Sequence, residues 1–247
     1  MQAPESRTLT MSELAAGFAG IREAMATCVD SSLRDCSQEL GRIHQLDEDL
    51  RLWIGYVPDS TGEQLTRARS ELAHAEHAAA SGLYRQAFGS LRLFLELAFA
   101  AVYFSANEFE RRRWLSDRTD FSWSKALDHE TGVLARAFVQ EFNGPLVSIT
   151  ADYATSAAET YRYCSQFVHG KAADSWRLPE TVEYSAPLLT SWCSHASAAG
   201  KSVFLLLLVR FGGQIAEPGL SPDLIDAITA RFGNHQEVRD LIGHANA

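Results

Sequence analysis

An all-α fold is predicted by three features of this 247-residue chain. Apolar residues recur at steps of three and four through most of it, several of those stretches end in glycine or proline, and no βαβ alternation or glycine-rich phosphate loop interrupts them. The composition, 46% hydrophobic and 21% charged with 16 Gly and 7 Pro, excludes collagen-like, low-complexity and wholly disordered classes. A chain of this length buries enough surface for one large core or two small ones.

The elements follow in order. Leu14, Phe18, Ile21, Met25, Cys28, Leu33, Cys36, Leu40, Ile43, Leu46, Leu50 and Trp53 form a near-heptad stripe with one slip at Leu33. With Ser12 as N-cap and no proline between Ser12 and Val57, this predicts either one helix over 12–54, about 65 Å long, or a hairpin broken near Asp30-Ser31-Ser32. Pro58 stops it, and Ser60-Thr61-Gly62-Glu63 has capping-box spacing for a second helix to about Ser81. Gly82 interrupts, and a very apolar helix over 83–104 follows, carrying Arg92 and Glu96. Residues 111–125 read as a connection, and 131–142 as a short helix closed by Asn143-Gly144. Pro145 opens a helix running to about His169, with Gly170 placed for a left-handed cap. Thr181 to Tyr184 is a weak strand candidate. A buried helix over 187–211, a short one capped by Ser221-Pro222 and running to Phe232, and a last turn or two over 236–242 complete the chain. The organisation is a long helical arm over 1–58, a bundle over 59–211 and short C-terminal helices over 212–247.

The chain carries 22 basic and 31 acidic residues, net −9, which argues against a generic polyanion binder. Nineteen of the basic residues are Arg. Residues 1–64 hold −6 of that charge and 65–247 only −3, so the acidity sits mainly on the N-terminal arm, a candidate partner or self-association surface. The four cysteines, Cys28, Cys36, Cys164 and Cys193, have neither zinc-ligand nor disulfide-framework spacing and read as reduced buried thiols. The N-terminus lacks a signal-peptide or lipidation pattern, and the apolar run Val203 to Val209 is seven residues against the roughly 20 that a membrane span needs. A cytoplasmic protein without membrane association is expected, with no metal and no cofactor.

One constellation carries chemistry. On the helix before Gly170, Arg162 and His169 are seven residues apart, close to two turns, and point almost the same way about 10 Å apart along the axis. Ser165 stands between them. His169 fits general acid–base work on a ribose 2′-hydroxyl or a leaving 5′-oxygen. Arg162 offers a permanently charged planar fork to phosphate oxygens. A 2′-hydroxyl attack needs no metal and confines the activity to RNA.

Arg162-Tyr163-Cys164-Ser165-Gln166-Phe167-Val168-His169 resembles the R-x4-6-H motif of the HEPN superfamily, whose catalytic members are metal-independent RNases of toxin–antitoxin, abortive-infection and CRISPR-linked systems. The stretch Gly82–Glu96 is also similar to helical proteins of bacterial defence loci, so the likeness covers about residues 83–170. It implies a HEPN-like bundle over 59–211, Arg162 and His169 as a catalytic pair, and a homodimer that brings two pairs to one cleft. The structural alternative is that His169 merely complements the helix dipole while Arg162 pairs with Glu159 or Glu96. Glu96 fits an internal ion pair with Arg92 or a group orienting Arg162 or His169 across a helix contact.

Three further groups were weighed. Arg111, Arg112 and Arg113, beside Trp114 and Phe121, form a candidate RNA-binding cluster diluted by Glu108, Glu110, Asp117 and Asp120. Glu71, His74 and His77 share a helical face but lack a third strong metal ligand. Residues 82–87 look like part of a tetratricopeptide repeat without a second copy. Two functions are therefore expected of the sequence: a HEPN-like endoribonuclease or defence effector, or a non-catalytic adaptor that uses the 12–54 helix to dock a partner protein encoded in the same operon.

Overall fold

The computed structural model describes residues 9–169, 177–214 and 220–245, and within them the fold is all-α. The helices are α1 (Met11–Ile54), α2 (Asp59–Ala80), α3 (Tyr84–Ala106), α4 (Glu108–Leu115), the single turn α5 (Trp123–Ala126), α6 (Arg136–Asn143), α7 (Thr150–Val168), α8 (Ala186–Phe211), α9 (Pro222–Phe232) and α10 (Gln236–Ala245). Gly144–Ser148 is a 3-10 turn leading into α7, so Pro145 opens that turn and the α-helix itself starts at Thr150. The helix expected over 131–142 begins only at Arg136. The strand candidate Thr181–Tyr184 is a bend followed by extended loop. It has no neighbouring strand, and an isolated alternating segment cannot satisfy its backbone as a sheet. Gly170, the expected cap of α7, and Trp176 lie outside the described residues.

The bundle is organised around α8. Val203 through Val209 are fully buried, so this part of the helix is apolar on every face and must be covered on every side, while Thr190, Ser194, Ser197 and Lys201 leave an exposed polar strip earlier along it. α1, α3 and α7 supply that cover, and α2 lies across α1 and α3. Trp53 of α1 meets Phe204 edge-on at 6.1 Å, and the Trp192 indole N–H donates to the Ala87 carbonyl at 3.3 Å. The helix is 26 residues long, and the seven-residue run lies in its C-terminal third. By length and composition alone α3 and α8 are long and apolar enough to cross a membrane, and 61% and 72% of their most apolar windows are buried inside the bundle.

α1 runs on over 44 residues as two helical stretches joined across a kink at Cys36, rather than as a hairpin. Thr10, not Ser12, caps it, in a reciprocal capping box with Glu13. The backbone leaves helical geometry at Cys36, where φ is −133°. The sequence stripe slips nearby, and its outcome differs from the expected one: Ser32 takes the inward place, its hydroxyl donating to the Ala80 carbonyl at 3.0 Å, while Leu33 is 55% exposed. A step of four from Cys28 reaches Ser32, so the register of the seam outweighs the greater hydrophobicity of its neighbour. From Cys36 to Trp53 the stripe is buried against α2 and α8 and belongs to the same core as the rest of the bundle. From Leu9 to Glu23 every residue is exposed. Within the expected arm, the first third or so of α1 is thus exposed and the remainder built in.

The remaining joints are specific. The α2–α3 turn needs Gly82 at φ +78°, where a side chain would also press on the Cys28 sulfur and the Glu183 carbonyl. Arg231 of α9 pairs with Asp49 of α1 at 2.6 Å and lies over the Phe204 ring, 4.4 Å from its centre. Ser221 caps α9, as its sequence suggested. The four cysteines are buried free thiols; burial pushes Cys164 and Cys193 up to about 12.

The α1–α8 crossing is closest at Gly200. A Cβ there would lie 1.9 Å from the Leu46 Cδ2. Gly200→Ala is expected to lower the unfolding free energy by about 1–3 kcal/mol through overpacking. Leu46→Ala in the same chain should recover part of that loss, a coupling that denaturant unfolding of the four-member mutant cycle measures.

Candidate functional site

α7 holds two faces with different jobs. Its inner face, Ala157, Thr160, Cys164 and Phe167, is buried against α3 and α8. At its C-terminal end Phe167 stacks on Phe88 of α3 at 4.1 Å, and Tyr163 stacks on His195 of α8 at 4.0 Å. The Tyr163 hydroxyl lies 3.1 Å from that of Ser191. Arg85 of α3 donates to the Phe167 carbonyl at 2.6 Å, placing a cation on one of the carbonyls that the helix end leaves without a partner. These contacts fix the last two turns of α7 in rotation and height.

Arg162 and His169 lie on the outer face, both exposed. His169 is the C-cap, its backbone N–H donating to the Ser165 carbonyl at 3.0 Å. Among the described residues no carboxylate pairs with either side chain, and neither Glu159 nor Glu96 approaches Arg162 as an ion partner. Ser165 sits between them half-buried. Its hydroxyl donates to the Tyr161 carbonyl at 2.7 Å, so its proton is held within the helix.

Glu96 takes the internal role. Its carboxylate accepts from Arg92 at 2.9 Å and from the Tyr161 hydroxyl at 2.7 Å, and Arg92 also donates to that hydroxyl at 2.5 Å. The guanidinium lies over the Tyr161 ring, 4.7 Å from its centre, and Trp123 stacks on the same ring at 4.1 Å. α3 does lie beside α7, as one sequence reading required, but what crosses the contact is Tyr161, the residue before Arg162. Sequence reasoning placed Tyr161 on the apolar face and missed its hydroxyl. The available signal was the pair of charges within α3, which needed a polar partner from a neighbouring helix. Trp123 stacks from α5, a single turn within the stretch that read as a connection, and carries no comparable signal.

The arginine cluster falls on α4. Arg111 and Arg112 both bind Glu108, at 2.6 and 2.7 Å, and Arg113 lies 3.7 Å from Glu110. Two guanidiniums on one carboxylate hold Glu108 down at about 2. Trp114 stacks on Phe104 at 5.1 Å, and Phe121 packs edge-on against the same ring. Both aromatics are thus committed to the fold, and the arginines to acids of their own helix. Glu71 pairs with His74 at 3.6 Å, and among the described residues no three His, Cys, Asp or Glu side chains converge as a metal-binding group.

Comparison with family models, with characterised proteins and with solved structures finds no match to this chain.

Two outcomes follow from the Glu96 network. Glu96→Gln leaves Arg92 without a counter-charge in a site only about a quarter exposed, and is expected to lower stability by about 1–3 kcal/mol in denaturant unfolding. The second concerns alkaline pH. Burial first, and then the Glu96 carboxylate, push Tyr161 above its ordinary value, and burial also raises Tyr84, Tyr103 and Tyr153. The unfolded chain therefore loses these protons at a lower pH than the folded one. The tyrosine contribution should be undiminished below about pH 10 and fall as pH rises beyond it, on top of a fall that the raised Cys164 and Cys193 thiols begin at about pH 9. Tyr161→Phe should make the fall beyond about pH 10 shallower.

Proposed function

We propose that the protein is a HEPN-like, metal-independent endoribonuclease, or an effector built on that activity, of a bacterial antiviral defence or toxin–antitoxin system. The observation that carries this reading is the state of Arg162 and His169. They are exposed and, among the described residues, free of carboxylate partners on the outer face of a helix whose inner face is locked. A surface cation and imidazole with only a dipole-complementing role need no such shared orientation.

The chemistry is a transesterification. The ribose 2′-hydroxyl attacks the adjacent phosphorus and the bond to the 5′-oxygen breaks, leaving a cyclic phosphate and a free 5′-hydroxyl. His169 takes the 2′ proton or delivers one to the leaving oxygen, and Arg162 binds the phosphate oxygens as charge builds on them. Ser165 stays outside the proton transfer because its own proton is held by the Tyr161 carbonyl. Glu96 acts as a positioning residue through Tyr161. A homodimer would present two such pairs. Arg111, Arg112 and Arg113 would bind RNA only by giving up Glu108 and Glu110.

A second reading is favoured by a separate observation, the uncovered apolar stripe of α1 between Met11 and Ile21. In it the protein is a non-catalytic adaptor that docks a partner through that helix.

Purified protein incubated with total or transfer RNA in EDTA separates the two. Cleavage is expected from the wild type, with His169→Ala and Arg162→Ala each slower by about 100-fold or more. Intact RNA, or a His169→Ala protein as active as wild type, sinks the nuclease reading.

A further inference from the structure

The seam of α1 is longer than the bundle that covers it. Met11, Leu14, Phe18, Ile21, Met25 and Cys28 follow one another at steps of three and four without a fault. Cys28 is where the bundle takes hold; Met11 is 80% and Phe18 66% exposed. A helix of about 15 residues standing alone is marginal in water, so an uncovered stretch of this length is expected to be held by a neighbour. The capping box at Thr10 and Glu13 gives it an ordered start.

We infer that the neighbour is a second copy of this chain, the two α1 helices crossing antiparallel with Phe18 of each against Ile21 of the other. This surface lies on α1 and does not depend on the chemistry assigned to α7. Three observations select a second copy. First, the surface is complementary to itself in this register: pairing Phe18 with Ile21 also pairs Leu14 with Met25, so every large apolar residue from Leu14 to Met25 meets another, as a two-fold interface requires. Second, residues 14–21 contain no charge. Two chains of net −9 can therefore cross there without like charges meeting, and Gly17 and Gly20, with nothing within 4 Å of a would-be Cβ, let the backbones approach closely. Third, a cleft of about 770 Å³ opens beside Ile21, walled by Leu83, Leu178, Pro179 and Val182. The antiparallel register sets the partner's Phe18 opposite Ile21, at the edge of this cleft.

The area is sufficient. A stable interface takes about 800 Å² from each partner, and large apolar side chains contribute on the order of 100–200 Å² each. Leu9, Met11, Leu14, Phe18 and Ile21 with the cleft wall reach that order.

Light scattering of the full chain at micromolar concentration tests the proposal. The wild type should have twice the chain mass, and Leu14→Glu/Phe18→Glu the mass of one chain, with a far-UV circular dichroism that loses at most the helical signal of the exposed N-terminal stretch of α1, since both side chains are exposed in the single chain. A wild type of one chain mass overturns the proposal, as does a double variant that keeps the doubled mass. Orientation is read by disulfide trapping. An equimolar mixture of Leu14→Cys and Met25→Cys proteins should cross-link, while neither alone does; cross-linking of either variant by itself overturns the antiparallel crossing.

Discussion

A helical segment that is apolar around its whole circumference cannot lie at a surface, and Val203–Val209 of α8 is such a segment. Its burial dictates the rest: α1, α3 and α7 have to surround it, and each presents one apolar face inward as a result. The short joints between them are refinements of that demand. Gly200 exists as a glycine because α1 must pass close by, and Arg231 reaches over Phe204 to Asp49 because the end of the α8 cover would otherwise be left open.

The same demand explains why α7 is divided in its chemistry. Its inner face is held by aromatic stacking at one end and by the Arg92–Glu96–Tyr161 cluster near its middle. Polar groups at that depth are tolerated because each is satisfied by another, with the Arg92 Nε the exception. The outer face carries no such obligations. Arg162 and His169 inherit a rigid backbone without being part of what makes it rigid, which is the condition under which surface side chains keep a fixed separation.

Most of the fold was legible in the sequence because helical periodicity is a local property. The stripe from Leu14 to Trp53, the break at Gly82 and the cap at Ser221 are all written within a few residues of where they act. What was not legible was tertiary. Nothing near Ser32 announces that it rather than Leu33 turns inward; that depends on the Ala80 carbonyl of a neighbouring helix. Tyr161 reads as apolar until Glu96 is placed beside it. The alternation of Thr181 to Tyr184 is genuine but finds no strand to pair with. At the candidate site, the exposure of Arg162 and His169 at the end of α7 agrees with their spacing on the polar face, whereas the helix contacts that leave them free of Glu96 and Glu159 were not legible.

The buried cysteines give the molecule built-in chemical reporters. Cys36 and Cys193 sit at the α1–α8 layer with little exposure and Cys164 on the inner face of α7 with none, and burial pushes Cys164 and Cys193 up to about 12, which disfavours the thiolate that alkylating reagents attack. Their labelling rate under native conditions is therefore the rate at which those layers part, so the wild-type protein reports the opening of its own core without any label being introduced.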